Sequence, residues 1–403
     1  MSRAASFAVF FLVATAILGG MHFYLWARLV RDPALADPWR RLLGAALALG
    51  AAAVPASMFA ARTHPSVPTR AALAVAFTWL GAAFLLFVVL LAVDAVRLLA
   101  TAADWLAAMG RQPGPPPDPS RRVFLARAAA GSAVLAAGGA AGLGFHTAVS
   151  DPEIHEVPVR LERLPRALSG FTLAQITDLH VGPTIGEKHV QRVVELTNAM
   201  RPDAVVITGD LVDGDVEELR RATGHLAGLQ ARHGVFFVTG NHEYYSGAAE
   251  WMRELGRYGI RVLRNERVAL GDGGPGGASL DLAGVDDWSV SRPGGDGRWA
   301  ALDQAVRGRD PDRSLVLLAH QPRGVGEAVR AGAELQLSGH THGGQIFPWT
   351  YVVGAVFPYF RGLYRRREGS REGQIFVSCG TGYWGPPLRL GAPAEIAKIV
   401  LTA

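Results

Sequence analysis

Hydrophobic positions along the chain fall into two regimes. Up to about residue 150 they form long runs with few charges, at 6–27, 42–61 and 71–93. Each run approaches the roughly 20 residues needed to cross a hydrocarbon core of about 30 Å. His22 and Tyr24 stand near the end of the first run, at interface depth, and Asp94 is expected to close the third. A fourth, Ala/Gly-rich apolar stretch ends near Ala148. From Asp151 onward the texture changes. FTLAQITDLH, AVVITGDLVDG, GVFFVTGNHE, SLVLLAHQP, LQLSGHTHGG and QIFVSCGTGYWG are brief apolar runs, each ending in a polar cluster. Strands this apolar are expected to be buried on both faces. Between them, 187–200, 216–229 and 248–258 carry apolar residues at three- and four-residue steps and predict helices. Glycine-rich turns at 271–277 and 292–297 are expected to punctuate antiparallel strands. The pattern therefore divides the chain into an all-α transmembrane region, 1–150, and a water-soluble α/β domain, 151–403.

Composition follows from that division. The chain is 49% hydrophobic and 19% charged, with a mean hydropathy of +0.18, and the apolar excess lies before residue 150. A net charge of +5 raises the question of nucleic acid. Many arginines, however, flank apolar spans, and no basic helix, zinc-finger spacing or RNA-binding aromatic motif occurs, so no nucleic-acid partner is expected. A single cysteine, Cys379, excludes an intramolecular disulfide framework and any cysteine-based zinc cluster.

The proline-rich segment QPGPPPDPS, 112–120, reads as an extended spacer. SRRVFLA, 120–126, then resembles the start of a twin-arginine export signal, with Arg121 and Arg122 paired and Ala126 where lysine is often found. The same segment reads equally as a fourth transmembrane helix with basic flanks. No A-x-A cleavage site precedes Asp151, so retention in the membrane is expected. Arginine counting orients the chain. Arg28, Arg31, Arg40 and Arg41 of the first loop belong in the cytoplasm, with Arg97, Arg111, Arg121, Arg122 and Arg127 of the third. Arg62 and Arg70 of the second loop face out. With four spans the chain is a multi-pass protein of the inner (cytoplasmic) membrane whose second domain is extracytoplasmic.

The chemistry gathers at strand ends. DLH supplies Asp178 and His180, GDLVD supplies Asp210 and Asp213, and GNHE supplies Asn241, His242 and Glu243. His320 follows the fourth run, and His340 and His342 lie in SGHTHGG, 338–344. Sites in such sheets form where strands give way to loops. In a glycine-rich loop, histidines at i and i+2 can converge instead of pointing to opposite faces. Convergent imidazoles suit a first-row metal, and this mixed N/O set suits Mn, Fe or Zn better than Ca or Mg. Each motif alone is weak, since an isolated Asp of this kind is most often a turn residue or helix cap. Their joint occurrence in order is what points to a metal centre. His22, His64, His146, His155, His189, His225 and His233 lie outside the motifs.

Taken in order, D-x-H, GD-x-x-D, GNH-[DE], a lone His and GH-x-H resemble the motifs of the calcineurin-like metallophosphoesterase family. About thirty residues separate the first motifs and about twenty separate His320 from the histidine pair. The resemblance runs from about Gly170 to the C-terminus. GHTHGGQ and GTGYWGPPLRLGAPAEI look like a membrane-anchored or exported bacterial branch. This resemblance implies a four-layer α/β sandwich, two mixed β-sheets flanked by helices, preceded by the transmembrane region. It implies two divalent metal ions, one on Asp178, His180, Asp210 and His342, the other on Asp210, Asn241, His320 and His340. Two close dications need an anionic bridge, which Asp210 would supply, and neutral Asn241 limits the negative charge. His242 is implied as the catalytic non-ligand, meeting a phosphoryl or leaving oxygen. Asp213 is expected to support a histidine or backbone, and Glu243 either to orient His242 or to cap a helix.

The expected activity is phosphoester hydrolysis by a metal-bridging hydroxide. The membrane tether points to a lipid-linked or envelope phosphodiester or pyrophosphate. One alternative is a catalytically reduced membrane sensor using the same metal domain. Another is a transporter or scaffold, which would need facing intramembrane charges where only Asp94 is visible. The segment 347–369 mixes aromatics with arginines. It reads either as a membrane-dipping or pocket-capping element, or as a packed hairpin with a solvated basic turn.

Overall fold

The computed structural model describes residues 3–64, 66–109, 118–271, 277–291 and 299–403. Most of the proline-rich spacer and of the two expected glycine-rich turns lies outside the described residues. The chain forms two compact units, Met1–His146 with Gly385–Leu388, and Thr147–Trp384 with Arg389–Ala403.

The first unit is built on four long helices, α1 (Arg3–Trp26), α2 (Trp39–Thr63), α3 (Val67–Ala108) and α4 (Pro119–Val149), the last three residues of α4 falling in the second unit. A single π-turn, Ala27–Arg31, prolongs α1. All four are long and apolar enough to cross a membrane. Leu25, Val30, Leu47, Ala83, Leu90 and Ala133 form their shared core. Ser66 starts α3 with a reciprocal cap to Thr69, which satisfies the first free N–H groups. Asp94 lies within α3 rather than at its end, because the helix continues to Ala108. The carboxylate is instead neutralised in place. It accepts from Arg28 Nε at 2.8 Å and from the Tyr24 hydroxyl at 2.5 Å, so the helix tolerates it. The segment read as export signal or fourth span is one continuous helix, α4.

The second unit is a sandwich of two six-stranded mixed sheets with helices on its outer faces. In chain order its strands are β1 (Glu153–Arg160), β2 (Thr172–Ile176), β3 (Ala204–Ile207), β4 (Val235–Phe237), β5 (Arg261–Val262), β6 (Glu266–Gly271), β7 (Ser279–Gly284), β8 (Leu315–Leu318), β9 (Leu335–Ser338), β10 (Gly362–Glu368), β11 (Arg371–Val377) and β12 (Glu395–Thr402). The first sheet runs β1-β12-β2-β3-β4-β5 and the second β10-β11-β9-β8-β7-β6. β2 to β5 are parallel, as are β7, β8, β9 and β11, whereas β6 and β10 close the second sheet as antiparallel edges. The helices of this unit are α5 (Glu187–Ala199), α6 (Val216–Thr223), α7 (Asn241–Ser246), α8 (Ala248–Arg257), α9 (Trp288–Ser291), α10 (Ala300–Ala305), α11 (Val325–Arg330) and α12 (Trp349–Val356). The helix expected over 216–229 tightens into a 3₁₀ turn from Gly224 to Gly228.

Why β2, β3, β8 and β9 sit centrally follows from their sequences. β3 and β8 are apolar on both faces, and all four strands are buried on both; the polar exceptions, Gln175 of β2 and Gln336 and Ser338 of β9, are hydrogen-bonded inside the domain. One face meets the opposite sheet through Leu173, Val206 and Phe236 against Val316, Leu318, Leu337 and Phe376. On the other face Val205 and Ile207 receive Val193, Leu219, Trp251 and Leu255 from α5, α6 and α8. Alternation along each strand thus builds two cores at once, and it aims the carboxyl ends of β2, β3, β4, β8 and β9 at one edge of the sandwich.

Candidate metal centre

At that edge the backbone turns sharply. Asp178, His180, Asp210, His340 and His342 all adopt positive φ, between 49° and 72°. Left-handed conformations cost non-glycine residues on the order of 1–3 kcal/mol each, and they cluster where a site demands them. Glycines supply the remaining space. A Cβ on Gly240 would lie 2.2 Å from Asp210 Oδ1, and one on Gly339 2.1 Å from Asp178 Oδ2. Only glycine permits this approach of backbone to carboxylate.

The expected donors converge in two buried groups. Asp178, His180 and His342 each offer a ligand atom within 4.8 Å of the others, as do Asp210, His320 and His340. Asp210 lies between the groups. Its Oδ2 is 3.1 Å from His320 Nε2 on one side and 4.0 Å from His180 Nε2 on the other. His342 Nε2 stands 3.1 Å from His180 Nε2 and 3.5 Å from Asp178 Oδ1. His320 Nε2 faces His340 Nδ1 at 3.2 Å.

Neighbouring acceptors fix the tautomers. His320 donates from Nδ1 to the Thr208 carbonyl at 2.8 Å, which aims Nε2 at Asp210. His180 donates from Nδ1 to Asp213 Oδ2 at 3.1 Å. His242 donates from Nδ1 to Asp213 Oδ1 at 2.5 Å, leaving its Nε2 3.9 Å from Asp210 Oδ2. One Asp213 carboxylate therefore orients a histidine of the first group and the histidine expected to act on substrate. Asn241 Oδ1 is buried with no hydrogen-bond partner. A buried amide oxygen without a partner, on the residue before His242, together with the clustered imidazoles and carboxylates, makes a donor set that fits divalent first-row ions.

Charge balance gives the same picture. Burial opposes ionisation of Asp210, but the imidazoles of His320, His180 and His242 outweigh it and hold the carboxyl well below its ordinary range. Burial likewise disfavours a charged His180, yet Asp213, Asp210 and Asp178 hold it at about 9. His320 also stays well above its ordinary value, because Asp210 outweighs burial. Burial and the charge of His320 push His340 down to about 3. Protons are thus favoured on His180 and His320, where a cation would compete for the same nitrogens.

Glu243 takes the capping role and does not touch the His242 ring. Its Oε2 accepts the N–H groups of Gly240 at 2.6 Å and Asp210 at 3.0 Å, and Oε1 accepts that of Leu211 at 2.7 Å. Three residues around the site carried no role in the sequence reading. Tyr245 and Trp384 set their rings 5.3 and 5.7 Å from that of His242. Arg389, fully buried, donates to the carbonyls of Gly382, Ala392 and Cys379 and lies 3.4 Å from His342 Nδ1. The signal for Trp384 and Arg389 was the GTGYWGPPLRL run after the last apolar strand, which spacing alone could not attach to any metal-directed motif.

Residues 171–344 match the family model described as calcineurin-like phosphoesterase. Among curated proteins, a bovine (Bos taurus) "Transmembrane protein with metallophosphoesterase domain" is 34% identical over 371 residues, covering 91% of this chain and 81% of its own length. A protein of the same description from Danio rerio is 38% identical over 261 residues, covering 64% of this chain and 59% of its own. An "Uncharacterized metallophosphoesterase" of Helicobacter pylori (strain J99) is 38% identical over 259 residues, covering 64% and 66%.

Proposed function

We propose a function that starts from kinship, since the chain belongs to the calcineurin-like phosphoesterase family. On that premise the second domain, 151–403, is a dinuclear-metal phosphoesterase carried by a membrane region, 1–150. Asp178, His180, Asp210 and His342 would hold one divalent ion, and Asp210, Asn241, His320 and His340 the other, each Mn, Fe or Zn. When bound, such a pair activates water for in-line attack and neutralises charge on the phosphoryl group. The rest falls to the protein. Asp210 joins the two ligand sets, Asp213 keeps His180 and His242 in the Nδ1–H tautomer, and His242 Nε2 meets a phosphoryl or leaving oxygen. Tyr245 and Trp384 wall the approach to His242.

The observation that carries this reading is the position of Asp210 Oδ2 between ring nitrogens of both groups. The complete donor set favours an enzyme over a catalytically reduced sensor. Four helices able to span a bilayer favour a phosphodiester or pyrophosphate of lipid or envelope origin, met on the outer side of the inner membrane. The test offers phosphomonoesters, diesters and pyrophosphates, with Mn, to the full chain in proteoliposomes. Hydrolysis that is strongest on lipid-borne diesters or pyrophosphates and is abolished by Asp210→Ala supports the reading. Two bound ions with no turnover on any class would support the sensor instead.

A further inference from the structure

We propose that α12 and the residues flanking it form a docking surface for an anionic lipid bilayer. The fourteen residues 347–360, FPWTYVVGAVFPYF, contain no charged side chain. A helix of a water-soluble domain normally buries its apolar side, yet only Thr350 of α12 is buried. Phe347, Trp349, Tyr351, Val352 and Val356 are exposed, Tyr351 to 72% and Val356 to 60%. Tryptophan and tyrosine among exposed aliphatics are the composition favoured at a membrane interface.

The charges beside this face fit the same partner. Residues 361–372 hold five arginines against two glutamates, and β10 carries three of those arginines along an edge strand. Arg365 and Arg367 are exposed and share a single acid, Glu372, at 3.8 and 2.9 Å. A basic rim of this kind adds affinity for anionic headgroups. Connectivity supplies proximity. Only three residues, 150–152, separate the end of α4 from the start of β1. That is about 10 Å of chain, so once α4 spans a bilayer the domain stays at a high effective concentration near it.

The face is also continuous with the metal centre. The Phe357 ring, just beyond α12, lies 5.6 Å from the ring of His340, and Arg323 covers its other approach at 5.1 Å. A groove of about 360 Å³, lined by Val356, Phe357, Tyr359, Arg323 and Arg330, begins where α12 ends. Docking here would bring a lipid-borne phosphoester to the metal centre, a consequence that rests on the proposed activity. The docking itself does not.

The test uses the full chain in phosphatidylglycerol-containing proteoliposomes, spin-labelled at Tyr351→Cys or Val356→Cys. Wild-type protein sets the background, since its one cysteine, Cys379, has a thiol that burial pushes up to about 12. Gln230→Cys, exposed ahead of the amino end of β4, serves as the aqueous control. Labels at 351 and 356 should collide several-fold more with oxygen, relative to a water-soluble nickel chelate, than the label at 230. Accessibility to nickel equal to that at 230 would overturn the proposal, because the face would then lie in water. Labels shielded from both reagents would overturn it in favour of a protein partner. Neither outcome depends on turnover, so docking without hydrolysis would leave this surface standing and remove the proposed activity.

Discussion

Asp213 divides its carboxylate between two imidazoles, and this separates what His242 does from what the expected ligands do. His242 is held by Asp213 and by its own N–H to Asp210 Oδ1 at 2.8 Å, with Nε2 turned toward the space between the groups. His242→Asn should therefore keep both metals while turnover falls about 10²–10⁴-fold, the usual scale for losing a placed proton donor or a transition-state hydrogen bond. His320→Asn should lower the occupancy of one metal and be partly rescued by added Mn. Metal titration beside rates on good and poor leaving groups checks this. Equal rescue of both variants by Mn would sink the division of roles. A second expectation concerns protons. His180 is raised to about 9 from an ordinary value near 6.5. In metal-stripped protein its pairing with Asp213 therefore contributes stability fully below about pH 6.5, and that stability is lost as pH rises through 9. Metal must displace this proton, so affinity should climb with pH up to about 9. Calorimetry in buffers of different ionisation enthalpy counts the protons released, and a pH-independent affinity would contradict the assignment.

Among the elements, the short turn from β4 into α7 bears the most. Glu243 gathers three N–H groups there, from Asp210, Leu211 and Gly240, and so locks the loop after β3 onto the loop after β4. Glutamine has one acceptor oxygen and would aim N–H donors at N–H donors. Glu243→Gln should therefore destabilise the domain by about 1–3 kcal/mol, the cost of leaving buried donors unpaired. Thermal unfolding measures it, and an unchanged midpoint would show that the carboxylate is dispensable. The sequence disclosed this region unevenly, for physical reasons. The runs AVVI and LVLL are apolar at every position and FTLAQI is interrupted only by Thr172 and Gln175, so they declared themselves as central strands. The donors after them were legible because polar residues gather where a buried strand gives way to a loop. Glu243 was ambiguous because its partners are main-chain groups, two of them from another loop, which no side-chain pattern records. Asp94 misled for a related reason. A carboxylate in an apolar helix reads as an end unless its partners are seen, and Arg28 and Tyr24 lie more than sixty residues away. Likewise, the 3₁₀ turn from Gly224 to Gly228 keeps the apolar spacing that predicted a longer helix, while its glycines loosen the α geometry.

For the whole molecule, the side of the membrane that the second domain faces follows from the number of spans. Four helices, α1 to α4, are long and apolar enough to cross. With the arginine-rich first and third loops in the cytoplasm, an even count puts the C-terminus outside. Reporter fusions after Ala61 and at the C-terminus should then read outside, and fusions after Arg31 and near Gly114 inside. The route taken by α4 can be separated from its final position. Arg121 and Arg122 lie in the first turns of α4, and replacing both by lysine leaves the charge unchanged. A helix inserted by hydrophobicity and flanking charge should not register that change. A twin-arginine signal, which is read as a motif by its export machinery, should fail, leaving the C-terminal reporter inside. Loss of the outside signal in the double-lysine variant thus assigns export to the motif, and its retention assigns α4 to ordinary insertion. A C-terminus inside in the unaltered chain would exclude export of the second domain. The phosphoester would then have to be a cytoplasmic one, met at the inner face of the membrane, and an envelope substrate would no longer be tenable.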